Sequence, residues 1–219
     1  ENAKQTGLNK ESSNVLYERL QAKSSESPSP QQQHLLREHY QAGRLEEALN
    51  LAKSMSQKFP AHAFGWQVLG AILYQINRLD ESLVAMQRSV ELAPANATNR
   101  YNLGNILKDL GRLDKAEENY RKAISLQPDH QKAYNNLGVM LEESGRLDEA
   151  RISYEQAISL KPDDSDSQCN LSNTLKKLGN FDEAEDCLRR AIALNPNNSL
   201  GHYNLGILLQ SLGKFHDAE

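Results

Sequence analysis

Five prolines keep a fixed beat along this chain: Pro60, Pro94, Pro128, Pro162 and Pro196 follow one another at a constant 34 residues. A period of that length, held through successive marks, indicates an array in which one supersecondary unit is repeated. Laid out on the period, the sequence gives six copies, starting near Ser29, Ala63, Ala97, Gln131, Ser165 and Ser199, the last running only to Glu219. The chain is therefore read as a repeat region over 29–219, preceded by a flexible polar arm over 1–28.

Each copy reads as two amphipathic helices joined by a tight turn. In the third copy Leu103, Leu107 and Leu110 fall at i, i+4 and i+7, and Ala116, Tyr120, Ala123 and Ile124 do the same on the following segment. Between the two stripes sits Gly111. The other copies carry Gly43, Asn77, Gly145, Gly179 and Gly213 there, residue types that accept the positive φ at which a helix stops and the chain reverses. A second set of positions stays small: Gly70, Gly104, Gly138, Ser172 and Gly206 on the first helix, and Ala48, Ser82, Ala116, Ala150, Ala184 and Ala218 on the second. Small residues on facing ridges allow close helix approach. The proline ends the second helix, and the Asp, Asn or Ser residues after it are expected to cap the next. A 34-residue unit has too little core to stand alone, so neighbouring copies must bury each other's apolar flanks.

The arm has a different character. It is rich in Ser, Gln, Glu and Lys and ends in SESPSP, a composition that buries too little apolar area to offset the entropy of ordering. Within it, NVLYERLQ at 14–21 has the spacing of a short amphipathic helix, but a disordered linker is the preferred reading.

Bulk chemistry removes several function classes. The 219 residues carry a formal net charge of −4, with 38% hydrophobic and 25% charged residues, which speaks against a nucleic-acid binder. The longest apolar run, VLGAILY at 68–74, is far short of the roughly 20 residues a membrane span needs. Cys169 and Cys187 are too few and too far apart for a disulfide framework or a zinc site, which favours a reducing compartment and a cytoplasmic location. His34 and His39 lie on different faces of a helix and belong to no ligand motif. The carboxylate pairs Glu142–Glu143 and Asp163–Asp164 sit on a solvated helix and in a capping turn. No catalytic constellation, metal site or cofactor loop emerges, and neither an enzyme nor a cofactor is expected within these residues.

Trp66, Leu69, Gly70, Ser82, Met86, Ser89 and Pro94 in one copy, and Leu137, Gly138, Ala150, Tyr154, Ala157 and Pro162 in another, resemble the tetratricopeptide repeat. The first copy departs most, with Leu36 where Gly is usual and Ala52 at the aromatic position, as expected of a terminal unit. The resemblance implies an all-α fold, a right-handed superhelical solenoid of antiparallel helix pairs whose first helices line a concave face. It also implies a non-catalytic scaffold that binds a protein or peptide. Asn102, Asn136, Asn170 and Asn204 occupy one place in four consecutive copies. That run is similar to the asparagine ladder in the repeat arm of the O-linked N-acetylglucosamine transferases, where such residues hold the backbone of an extended segment.

An amide side chain offers both a donor and an acceptor, so it satisfies a peptide group without reading the side chain beside it. With first helices about 8–10 Å apart and an extended chain advancing about 3.3 Å per residue, one rung meets roughly every third residue of a bound segment. Tyr101, Asn105, Lys132, Asn135, Asp166, Asn173 and Tyr203 are expected to share that face. The bland alternatives are that Asn is tolerated on a solvated face and that the tyrosines are half-buried packing. Lys108–Asp109, Glu142–Glu143 and Lys176–Lys177 alternate in sign at matching places, which favours a neutral or zwitterionic segment. The carboxylate-clamping subclass of the family is disfavoured, because Tyr101 and Asn170 stand where it carries Lys and Arg. Two other readings stay open. One is the substrate-recruiting arm of a larger glycosyltransferase, since the sixth copy stops inside its second helix and the whole protein is expected to continue. The other is self-assembly through uncapped ends.

Overall fold

The computed structural model describes residues 27–213. The expected arm, apart from Ser27 and Pro28, and the end of the sixth copy lie outside the described residues. Within them the secondary structure is helical throughout: α1 (Pro30–Gln41), α2 (Leu45–Lys58), α3 (Ala63–Gln75), α4 (Leu79–Leu92), α5 (Ala97–Asp109), α6 (Leu113–Leu126), α7 (Gln131–Glu143), α8 (Leu147–Leu160), α9 (Ser165–Leu178), α10 (Phe181–Leu194) and α11 (Ser199–Ser211). Odd-numbered helices are the first helices of the copies, and even-numbered ones the second.

Two compact units divide the chain, Glu1–Ile106 and Leu107–Glu219, with the boundary inside α5. In the first unit α1 packs on α2, α2 on α3 and α3 on α4. In the second, contacts run in the same order from α6 to α11, and the first helices α7, α9 and α11 also touch one another in turn. Each unit is thus a stack of helix pairs with no strand among the described residues, as the repeat pattern requires.

The reversal within each pair has one construction. After α3, Asn77 takes φ 59°, a non-glycine in the left-handed region, and the next amide, Arg78 N–H, donates back to Leu73 O at 2.8 Å. That six-to-one bond satisfies a carbonyl the helix end would otherwise leave orphaned. Arg146 N–H to Leu141 O at 2.9 Å and Asn180 N–H to Leu175 O at 2.9 Å repeat it in the second unit.

Size complementarity locks the two helices of a pair. A Cβ on Gly138 would stand 2.7 Å from Tyr154 Cε1, and one on Gly70 2.9 Å from Met86 Cε. Both large side chains are fully buried. Copy one exchanges the sizes: Leu36 fills the first-helix position and Ala52 faces the place of the aromatic, both with no exposed surface. The departure of that copy is therefore a volume swap within one core. Copy two keeps the pair close by another route, with Ser82 Oγ donating to Gly70 O at 2.7 Å.

Caps follow expectation at some helices and depart from it at others. Asp164 accepts from Ser167 N–H at 3.2 Å, and Asn198 from Gly201 N–H at 3.0 Å. Ser29 and Gln32 form a reciprocal capping box on α1. At α7, however, the cap is His130, whose Nδ1 accepts from Ala133 N–H at 3.3 Å, a residue the cap pattern did not single out. Burial holds its imidazole below the ordinary histidine range, with the Asp129 charge opposing.

Between second helices of the second unit, Arg146 bridges Glu117 and Glu149 at 2.6 Å each, and Arg121 reaches the same two carboxylates at 2.8 and 3.1 Å. Hydrogen bonding to Arg146 holds the Glu117 carboxyl below its usual range despite partial burial. Exposed pairs of this kind each contribute about 0–1 kcal/mol, so the network sets register more than stability.

Two outcomes follow. Gly138→Ala would raise stability by up to about 1 kcal/mol in an open helix; here the Tyr154 ring makes it lower stability by about 1–3 kcal/mol. Combining it with Tyr154→Leu should cost less than the sum of the single changes in a thermal or urea unfolding cycle. For His130, the folded state favours the neutral ring, so its contribution is present above the ordinary histidine pKa and is lost as pH falls through the lower folded value. His130→Asn keeps a cap but cannot titrate, so its melting temperature should fall less between pH 7.5 and 5 than the parent's, by about 2–4 °C for each kcal/mol of cap.

Candidate partner-binding site

The residues expected to meet a partner sit on the first helices, and each unit presents them differently. In the first unit a cavity of about 280 Å³ opens between three first helices. Tyr40 of α1 and Ala71, Tyr74 and Gln75 of α3 form two sides. Asn102, Asn105 and Ile106 of α5 form the third, over Met86 of α4. Ile106 and Met86 are buried floor, while Tyr40, Tyr74, Asn102 and Asn105 are half-buried. Two expected residues, Asn102 and Asn105, are thus brought together; Tyr101, half-buried beside them, lines no part of the cavity. Tyr40, Ala71, Tyr74 and Gln75 were not singled out. The available signal was the pair Tyr-Gln at 40–41 and again at 74–75, where the next three copies carry Lys-Asp, Glu-Glu and Lys-Lys.

In the second unit the first-helix face is polar and cross-linked. Asn135 Oδ1 accepts from Asn170 Nδ2 at 3.2 Å and from Ser167 Oγ at 3.1 Å. Gln131 Nε2 donates to Asp164 Oδ2 at 3.1 Å and Ser167 Oγ at 3.2 Å. Burial pushes the Asp164 carboxyl upward, but hydrogen bonds from Ser167 and Lys161 outweigh it and the net direction is down. Asn135 and Asn170, expected as separate groove residues, are therefore partners of each other. One N–H and the side-chain carbonyl of Asn170 remain beyond that bond. Asn136 and Asn173 are half-buried, whereas Lys132 and Asp166 are exposed.

Further along this face two of the expected alternating charges, Glu142 and Lys177, neutralise one another. Glu142 accepts from Lys177 Nζ at 2.7 Å, from Thr174 Oγ1 at 2.8 Å and from Tyr154 OH at 3.3 Å. Burial first, and then the charge of Glu142, push the Tyr154 phenol upward, which keeps it a donor. At the end of the row Asn204 is buried, with 9% of its surface exposed. Its Nδ2 has no hydrogen-bond partner among the described residues. Tyr203 beside it is 66% exposed.

No group of His, Cys, Asp or Glu among the described residues is arranged to hold a metal. Both cysteines are buried free thiols; burial pushes Cys187 up to about 11, the nearby Arg190 opposing. No described helix is long and apolar enough to cross a membrane. What this arrangement offers is hydrogen bonding and side-chain pockets.

Comparison with solved structures returns helical repeat proteins. MamA matches at 22% identity and TM-score 0.68, over 74% of this chain and 95% of that one. YrrB, described as a TPR protein with an unusual peptide-binding site, matches at 20% and 0.67, over 81% and 91%. PilF of Pseudomonas aeruginosa matches at 17% and 0.76, over 85% of each chain. At such identities the likeness is one of fold. No curated protein matches by sequence. Family profiles described as tetratricopeptide repeat match residues 35–97, 101–165 and 153–186, and one described as TPR repeat matches 172–213. Matched over more than half its length and built of helix pairs on the expected period, the chain belongs to the tetratricopeptide repeat family.

Proposed function

We propose that this chain is a non-catalytic protein-interaction scaffold that holds an extended segment of a partner protein along its first helices. The observation that carries the reading is the asparagine at one place in four consecutive first helices. In three of them, Asn102, Asn136 and Asn170, it is half-buried. A half-exposed amide held in place by neighbours meets a peptide group with little loss of side-chain freedom. The bond from Asn170 to Asn135 supplies such holding while leaving hydrogen-bonding capacity. That YrrB is described as having a peptide-binding site is in keeping with this use.

The expected neutral character of the bound segment gains support from the pairing of Glu142 with Lys177, which removes one charge of each sign from the face. The recruiting arm of a glycosyltransferase is a narrower version of the same proposal and rests on the asparagine spacing alone. For location, the two unpaired thiols favour the reducing cytoplasm.

Self-association is the second reading, and α11 favours it. Leu200, Tyr203 and Ile207, at i, i+3 and i+7, are 52%, 66% and 39% exposed, an apolar stripe on one helix. A sedimentation profile that stays monomeric up to the highest soluble concentration removes this reading.

The ladder is tested with linear peptides selected from a displayed random library on the intact protein. Replacing Asn102, Asn136 and Asn170 together by Ala should weaken the selected peptides by roughly a hundredfold, at about 1 kcal/mol for each lost hydrogen bond, with an unchanged circular dichroism spectrum. Equal affinity in the triple variant would sink the proposal.

A further inference from the structure

The cavity of the first unit differs in kind from the polar face of the second, and its chemistry selects an occupant. Its walls carry no charged side chain. The tyrosines Tyr40 and Tyr74 stand one repeat apart at the place where the next three copies carry Lys108, Glu142 and Lys176. Ala71 occupies the place that Asn105, Val139, Asn173 and Ile207 hold in the later copies. One lining residue is thus small where its counterparts in the array are larger.

We infer that this cavity is an anchor site for one uncharged aromatic side chain of the bound segment. The inference rests on the scaffold reading above and adds a side-chain preference to it. Three features choose the occupant. A cavity of about 280 Å³ is smaller than the roughly 300–1,000 Å³ of drug-sized ligand sites, and so takes a side chain with its adjoining backbone.

The lining combines the buried Met86 and Ile106 with two tyrosines and no charged side chain, so a Lys, Arg, Asp or Glu head would be desolvated there without a partner of opposite charge. The amides of Asn102, Asn105 and Gln75, also in the lining, suit the polar tip of a Trp or Tyr, whose body the apolar residues cover. Aromatic residues of this type are the usual anchors of a protein interface. Asn102 is both a ladder residue and a wall of the cavity. An anchored side chain therefore leaves its own backbone next to that rung.

The test uses the whole protein, with capped amino acids as probes. N-acetyl-tryptophanamide should shift the side-chain amide resonances of Asn102 and Asn105 in a saturable titration, and N-acetyl-lysinamide should not. Ala71→Trp, which fills the cavity, should abolish the shifts; Ala71→Leu serves where tryptophan disturbs the helix pair. Library-selected peptides should carry an aromatic residue at one fixed position and lose about tenfold or more in affinity on Ala71→Trp. Shifts that are equal for the lysine probe, absent for tryptophan, or unchanged by filling the cavity overturn the inference.

Failure of the two ideas is distinguishable. Peptides that need the ladder asparagines yet show no aromatic preference and ignore Ala71→Trp overturn the anchor while the scaffold stands. Tryptophan shifts abolished by Ala71→Trp, in a protein that selects no peptide, support an aromatic site and overturn the scaffold.

Discussion

A contact between a residue with almost no side chain and one with a large side chain holds this architecture together. Gly138 lies under the ring of Tyr154 so closely that a single added carbon would fall inside contact distance, and Gly70 lies under Met86 in the same way. Everything the chain presents to a partner depends on that fit, because it fixes how near the two helices of a copy lie. The constraint concerns summed volume rather than identity. Leu36 and Ala52 satisfy it with the sizes exchanged, and Ser172 with Leu188 satisfies it at intermediate sizes, both buried.

Close packing of this kind is short-range, and for that reason it was legible. Proline spacing, a residue tolerant of positive φ at each reversal and the apolar stripes are all local, and each appears in the structure as a helix end, a turn or a buried face. The capping residues were only partly readable. Asp164 and Asn198 belong to the usual set of cap types. At His130 an imidazole nitrogen does the same work, and its availability depends on burial, which sequence spacing does not report.

The candidate site was harder to read, for a geometric reason. Aligning copies compares residue n with n+34, yet the first helices of the second unit meet at other offsets. Asn135 touches Ser167 and Asn170, and Glu142 touches Thr174 and Lys177; in both cases one side chain sits against two residues three apart on the next helix. Residues three apart share a ridge, so a side chain in register with the groove meets both. Column by column the sequence displays like beside like, Asn above Asn, whereas the structure pairs unlike columns. The cancellation of charge between Glu142 and Lys177 is invisible until that offset is known.

In an array the repeated glycines, aromatics and prolines are the part that packing dictates, and the information that tells one ligand from another has to lie in the residues that break the repeat. Conformity at Gly138, Tyr154 and Pro162 is explained by helix packing and helix ends. No such packing rule asks for Ala71 where counterparts are larger, or for Tyr40 and Tyr74 where the next three copies are charged. Ala71, Tyr40 and Tyr74 all line the same cavity, while the second unit satisfies much of its polar face internally through Asn135, Ser167 and Glu142. A face that already satisfies its own hydrogen bonds discriminates weakly, since a ligand must match what it displaces. An uncharged cavity discriminates strongly against any charged group. By that reasoning the proposed ladder would supply general affinity for backbone, and the choice among partners would fall to the residues that line the cavity of the first unit.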